Sequence, residues 1–158
     1  MPRPNRNLMK ENQTLSRLIE DLLEGKVYGL DVTAEKVKFS LPEKIVFKAG
    51  TADLSPDAKK NLDVLGKILK GFSGYITIEG HTDEALPKGG RFKNNWDLSM
   101  ARALTVMDYL ASTHGLPERR MIPVGAGALR RIASTDDPSG SEKNRRVEFI
   151  LSYDVSGK

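Results

Sequence analysis

The stretch Ser55–Glu79 constrains the chain most. Ser55-Pro56-Asp57 opens a helix with a capping hydroxyl, a proline suited to the first helical position and a carboxylate at the positive end of the dipole. Ala58, Leu62, Leu65, Ile68 and Leu69 then recur at helical spacing as one apolar stripe. Gly71 or Gly74 ends the helix, and Tyr75–Glu79 follows at once as a strand. Ile45-Val46-Phe47 reads as a short buried strand before the helix, so the segment makes one strand–helix–strand unit with a right-handed crossover.

The pattern continues downstream. A second helix runs from about Asp97 to His114, with Ala103, Val106, Met107 and Leu110 on its core face and Gly115 as its stop. Met121–Val124 reads as a short strand, Gly125-Ala126-Gly127 as a turn, 128–144 as a polar loop and Val147–Leu151 as the closing strand. Upstream, Val27–Val32 and Val37–Leu41 form a hairpin turning near Ala34–Lys36; Val37, Phe39 and Leu41 alternate with Lys38 and Ser40. Residues 12–24 read as an amphipathic helix carrying Leu15, Leu18, Ile19, Leu22 and Leu23, with Asn12 or Thr14 as cap and Gly25 as stop. The expected fold is α+β: a two-layer helix-on-sheet sandwich of β-α-β-α-β-β type with a mixed sheet, preceded by an N-terminal helix and β-hairpin. The expected division is 1–41 (tail, amphipathic helix and linker hairpin, of which 8–41 form a switchable spacer), 42–153 (the main domain) and 154–158 (a tail).

With 158 residues, 39% apolar and 29% charged, the chain has enough length for one core. A formal charge of +4 is mildly basic. There is no cysteine, hence no disulfide or thiol chemistry. No stretch approaches the roughly 18 apolar residues of a membrane span, and no apolar segment follows the basic start. The arginine pairs 119/120, 130/131 and 145/146 lack interleaved aromatics, so no nucleic-acid partner is expected.

The chemistry concentrates between Ile76 and Arg102. Asp83 lies just past a strand end and Arg102 lies early in the second helix. If the intervening loop folds back, a carboxylate and a guanidinium face one pocket, an arrangement suited to a zwitterion such as an amino-acid head group. The competing reading is a direct Asp83–Arg102 salt bridge with no ligand. Glu79, His81 and Asp83 would share a face on a continuous strand, but a turn at Gly80 breaks that register, so no metal site is expected and His81 is read as shaping the turn. Trp96 reads as a half-buried structural residue. Glu84–Lys93 reads as a basic loop at the rim of the pocket. No Ser-His-Asp set and no pair of carboxylates with separated roles is marked, so no catalysis is expected.

Four segments carry a resemblance: Phe47-Lys-Ala-Gly-Thr-Ala-Asp-Leu-Ser-Pro56, Ile78-Glu-Gly-His-Thr-Asp83, Asn95-Trp-Asp-Leu-Ser-Met-Ala-Arg102-Ala103 and Asn144-Arg-Arg-Val-Glu148. Together, over about residues 37–152, they resemble the OmpA-like peptidoglycan-binding domain. The Asn-Trp-Asp-Leu-Ser form is most similar to the periplasmic domain of flagellar motor stator B subunits, the MotB and PomB type. Ala128-Leu-Arg-Arg-Ile132 departs from the family form, which has a proline before the isoleucine.

The resemblance implies a periplasmic, non-catalytic domain that binds the peptidoglycan stem peptide and uses no cofactor. Its family holds diaminopimelate through the positions that are Asp83 and Arg102 here. Asn95 and Thr82 fall in the same motifs, and Arg145 and Arg146 match arginines near the site. The resemblance further implies a homodimer that anchors a stator to the wall. Its stator A subunit partner would be met through an inner-membrane helix outside this sequence. The alternative is the wall anchor of an outer-membrane lipoprotein or of a secretion system.

Overall fold

The computed structural model describes residues 5–83, 92–128 and 143–153. The rim loop at 84–91, most of the polar loop at 128–144, including the departure at 129–132, and the terminal tail lie outside the described residues. The elements are α1 (Asn5–Leu22), β1 (Tyr28–Val32), β2 (Lys36–Pro42), α2 (Glu43–Val46), α3 (Pro56–Lys70), β3 (Tyr75–His81), α4 (Asn95–His114), a 3-10 turn at Glu118–Arg120, β4 (Met121–Gly127) and β5 (Arg146–Ser152).

The five strands form one mixed sheet in the order β1-β2-β5-β3-β4. β5 is antiparallel to both of its neighbours, so β2 and β3 run parallel with β5 inserted between them. β3 and β4 pair directly in parallel through α4. Alternation then sorts the side chains. Val37, Phe39, Leu41, Ile76, Ile78, Val147, Phe149 and Leu151 all join one core with residues of α1, α3 and α4. Phe39 and Phe149 are cross-strand partners and stack at 5.1 Å. The α+β helix-on-sheet sandwich is therefore the observed architecture.

Local signals explain the helices. Ser55 Oγ accepts from the Ala58 amide at 3.1 Å, Pro56 opens α3 and Gly71 follows its end. Asn94 Oδ1 accepts from the Asp97 amide at 2.9 Å, which starts α4 earlier than Asp97. Gly115 stops α4 with φ of 68°, a left-handed conformation that a β-carbon disfavours.

Three expectations need correction. Ile45-Val46-Phe47 is not a strand: Glu43–Val46 is a short helix, Phe47 forms only an isolated bridge with Leu54, and β2 serves as the crossover strand. An apolar triplet too short to show a period reads either way. The helix expected at 12–24 starts at Asn5, and Asn12 does not cap it; its Nδ2 donates to the Thr33 carbonyl at 2.8 Å and ties α1 to the hairpin turn. Finally, β3 does not end at Glu79 but continues through Gly80 to His81, and β4 runs on through Gly127. Ile19 and Leu23 of the expected spacer, with β2 residues Val37, Phe39 and Leu41, lie in the same core as the rest.

Candidate functional site

The sheet ends that matter are the carboxyl ends of β2 and β3 and the amino end of β5. The register sets Pro42 opposite Arg146 and His81 opposite Arg146, which brings Glu43, Asp83 and Arg145 to one edge. The Glu43 amide donates to the Arg145 carbonyl at 2.9 Å, fixing the start of α2 against the start of β5.

Arg102 arrives from above, on α4. A β-carbon on Gly80 would lie 2.2 Å from the Ser99 carbonyl oxygen, and one on Gly125 would lie 2.8 Å from Met100. Both positions must stay bare for α4 to lie this close to β3 and β4. Gly80 of the Gly-His-Thr-Asp motif is thus a packing residue rather than a turn residue. Ser99 Oγ also accepts from the Gly127 amide at 3.0 Å, and Trp96, about half exposed, packs its ring beside Gly127.

The four charges alternate. Arg145 Nη1 donates to Asp83 Oδ2 at 2.6 Å, and Arg145 Nε lies 2.8 Å from Glu43 Oε2. The other carboxylate oxygen of Glu43 lies 2.8 Å from Arg102 Nη2. Arg102 Nε donates to the Thr51 carbonyl at 2.8 Å, and the guanidinium sits 4.8 Å over the Phe47 ring. The carboxylate on Arg102 is therefore that of Glu43, and the direct Asp83–Arg102 salt bridge weighed from sequence does not form. Glu43 Oε1 is close enough to Arg102 Nη2 for an ion pair but lies off the direction a hydrogen bond needs; among the described residues the buried Nη2 has no hydrogen-bond acceptor. Burial by itself would lower the Arg145 pKa. The Asp83 hydrogen bond and the charges of Glu43 and Asp83 outweigh it and hold Arg145 above its ordinary value.

Asn95 Nδ2 donates to the Asp83 carbonyl at 3.1 Å, linking the first residue of α4 to the strand end. The Thr82 amide donates to the Gly127 carbonyl at 2.8 Å, while its buried hydroxyl has no partner among the described residues. Asp83, Arg102, Asn95, Thr82 and Arg145 thus come to one end of the sheet. Arg146 points elsewhere. Its Nε and Nη2 each lie 3.1 Å from Glu148 Oε2, on the sheet face opposite the helices. That face also holds His81, whose Nε2 is hydrogen-bonded to Glu79 Oε1 at 3.0 Å and lies 4.0 Å from Glu148. His81 therefore belongs to a sheet-face cluster and does not shape a turn. Ligand atoms of Glu79, His81 and Glu148 lie within 4.8 Å of one another, and the reading that placed Glu79 and His81 on different faces is overturned by the longer strand. The two carboxylates there are balanced by Arg146 and by Lys38 Nζ at 3.6 Å from Glu148, so the cluster already carries its own counter-charges.

Glu43 was missed from sequence. A lone glutamate after a proline carries no pattern, and its role appears only when β2 and β5 are paired in register.

Fold and site define a helix-on-sheet domain with an alternating charge cluster, its inner members buried, at the carboxyl ends of its strands. The OmpA family profile matches residues 46–145, and the chain belongs to that family. It is 29% identical over 134 residues to Motility protein B of Bacillus subtilis, covering 84% of this chain and 49% of that protein. It is 36% identical over 103 residues to the Peptidoglycan-associated lipoprotein of Pseudomonas aeruginosa, covering 65% and 58% respectively. The chain thus spans about half the length of the curated relatives it matches. Its structure superposes on that of a putative MotB-like protein from Desulfovibrio vulgaris with a TM-score of 0.86 at 26% identity, covering 96% of this chain and all of the other.

Proposed function

We propose that this chain is a non-catalytic module that binds the peptidoglycan stem peptide through its diaminopimelate residue. Asp83 takes the ammonium and Arg102 takes the carboxylate of that residue's zwitterionic end. The observation that carries the reading is the separation of these two charges. They come from different elements, are both buried, and are held apart by Arg145 and Glu43 rather than neutralising each other. A buried cation whose Nη2 lacks a hydrogen-bond acceptor among the described residues suits an incoming carboxylate. The Thr82 hydroxyl, likewise buried without a partner, and Asn95 stand beside Asp83. Arg145, the more exposed partner of Asp83, stands on its carboxylate, and Arg146 is held on β5 by Glu148.

The likeness to Motility protein B favours a periplasmic domain that anchors a flagellar stator to the wall as a homodimer, meeting the stator A subunit through a membrane segment outside this sequence. Among the described residues no helix is long and apolar enough to cross a membrane. The likeness to the Peptidoglycan-associated lipoprotein favours a second reading, a wall anchor of an outer-membrane or secretion assembly. The coding sequence upstream separates them: one apolar helix with an aspartate marks the stator, a lipobox cysteine the lipoprotein.

The binding test is co-sedimentation with purified diaminopimelate-type peptidoglycan. Asp83→Ala and Arg102→Ala are each expected to lose sedimentation while keeping the wild-type circular dichroism spectrum. Near-wild-type sedimentation by both folded variants would rule the site out. Release of soluble muropeptides during the incubation would instead indicate a hydrolase.

A further inference from the structure

Both ends of the proposed ligand site already have partners, and those partners are a base and an acid. Arg145 stands on Asp83 as a ligand ammonium would, and Glu43 stands on Arg102 as a ligand carboxylate would. The two are bonded to each other at 2.8 Å. They are also the more exposed members: the Glu43 and Arg145 side chains are 17% and 35% exposed, against 3% and 9% for Arg102 and Asp83. The inner charges are therefore met by way of the outer pair.

We propose that Glu43 is a specificity-determining residue: a built-in carboxylate that competes with the ligand's carboxylate for Arg102. It thereby sets how strongly the site rewards the group that distinguishes diaminopimelate from lysine. The proposal rests on the zwitterion reading of Asp83 and Arg102. Two features make Glu43 a displaceable occupant. Its oxygen pairs with Arg102 Nη2 without satisfying it, so a carboxylate entering in the plane of the guanidinium fork gains hydrogen bonds that Glu43 does not make. Once displaced, Glu43 keeps Arg145 as its partner and is not left bare.

Charge sets the direction of the effect. Among the described residues, Asp83 and Glu43 balance Arg102 and Arg145, and these four charges sum to zero. Glu43→Gln leaves one net positive charge and frees Arg102. An incoming carboxylate is then favoured, and an ammonium without a carboxylate gains nothing.

The test is calorimetric titration of the full chain with two stem tripeptides whose main-chain terminal carboxyl is amidated, one ending in meso-diaminopimelate and one in L-lysine, so that only the first carries a carboxylate beside its side-chain ammonium. Glu43→Gln is expected to tighten the diaminopimelate peptide on the order of tenfold and not to tighten the lysine peptide. Unchanged or weaker binding of the diaminopimelate peptide, or equal tightening of both, would overturn the assignment while leaving the site itself standing. If neither the wild type nor the variant binds the diaminopimelate peptide, the site reading fails and this inference fails with it. Should Glu43→Gln not fold, Glu43→Asp keeps the charge but is too short to span both guanidinium groups. It is expected to raise the same ratio of affinities by a smaller factor, and an unchanged ratio would overturn the assignment.

Discussion

Two charge clusters lie within a few residues of each other along β3 and β5, and they are built differently. The sheet-face cluster of Glu79, His81, Arg146 and Glu148 is carried entirely by strands, and every member is at most 6% exposed. Its hydrogen bonds run along the strands between residues two apart on one face, His81 with Glu79 and Arg146 with Glu148, while register sets Glu79 opposite Glu148 and His81 opposite Arg146. The end cluster of Asp83, Arg145, Glu43 and Arg102 is carried by residues just beyond strand ends, the first residue of a short helix and the middle of a long one. Two of its members reach solvent. Adjacent residues in sequence, Arg145 and Arg146, fall into different clusters because alternation sends them to different sides. A charge locked by register on a closed face holds strands together; a charge set on element ends, with exposed neighbours, can exchange partners.

The largest expected effect tests the closed cluster. Glu148→Ala removes the carboxylate that both Arg146 Nε and Nη2 address, deep in the sheet. Breaking a buried pair in this way costs about 3–5 kcal/mol, measured by urea unfolding. Peptide binding per folded molecule is expected to stay at the wild-type level. A binding loss without destabilisation would mean that the two clusters are one site.

Arg102→Ala should cost less stability, about 1–3 kcal/mol, because Glu43 keeps Arg145 as a partner. It should abolish binding. Asp83→Asn should cost still less, within about 1 kcal/mol, since its partner Arg145 is 35% exposed and screened by solvent. It too should lose binding. Stability loss and binding loss thus run in opposite order across the clusters, and a parallel order would dissolve the distinction.

How much of this was legible in the sequence follows the same division. The caps at Ser55 and Gly115 and the alternating strands are local signals, and they place α3, α4, β2 and β5 as observed. Asp83 and Arg102 stood out because each is an ionisable residue beside a readable element, one just past a strand and the other close to a helix's apolar stripe. The short helix Glu43–Val46 was not legible, because the apolar triplet Ile45–Phe47 carries no period. Nor was the sheet-face cluster, because Gly80 was read as a turn: its actual requirement, the close approach of Ser99 on α4, is a tertiary contact. Glu43 was hidden for the same reason. Its partners Arg102 and Arg145 come from distant segments, and only strand pairing with β5 between β2 and β3 brings them to it.

The smallest expected effect uses a third cluster as a control outside both. Asp63 on α3 accepts from the Tyr109 hydroxyl at 2.7 Å and is hydrogen-bonded to His114 Nε2 at 2.8 Å, both on α4. These bonds, Tyr109's first, hold the Asp63 carboxyl below its ordinary value, and the same bond raises the Tyr109 phenol. A carboxyl whose folded value is depressed adds stability that is present above its unfolded value near 3.9 and is lost as pH falls through the lower folded value. Asp63→Asn should therefore leave the unfolding midpoint nearly unchanged in its pH dependence near neutrality but flatten the fall in stability below about pH 4. The Asp63 side chain is 42% exposed, so solvent screening keeps the effect small. Peptide binding should not change. If the acid limb of the stability curve is identical in Asp63→Asn and wild type, the helix-pairing bonds contribute nothing as charges, and burial of Leu62, Leu65 and Val106 alone joins α3 to α4.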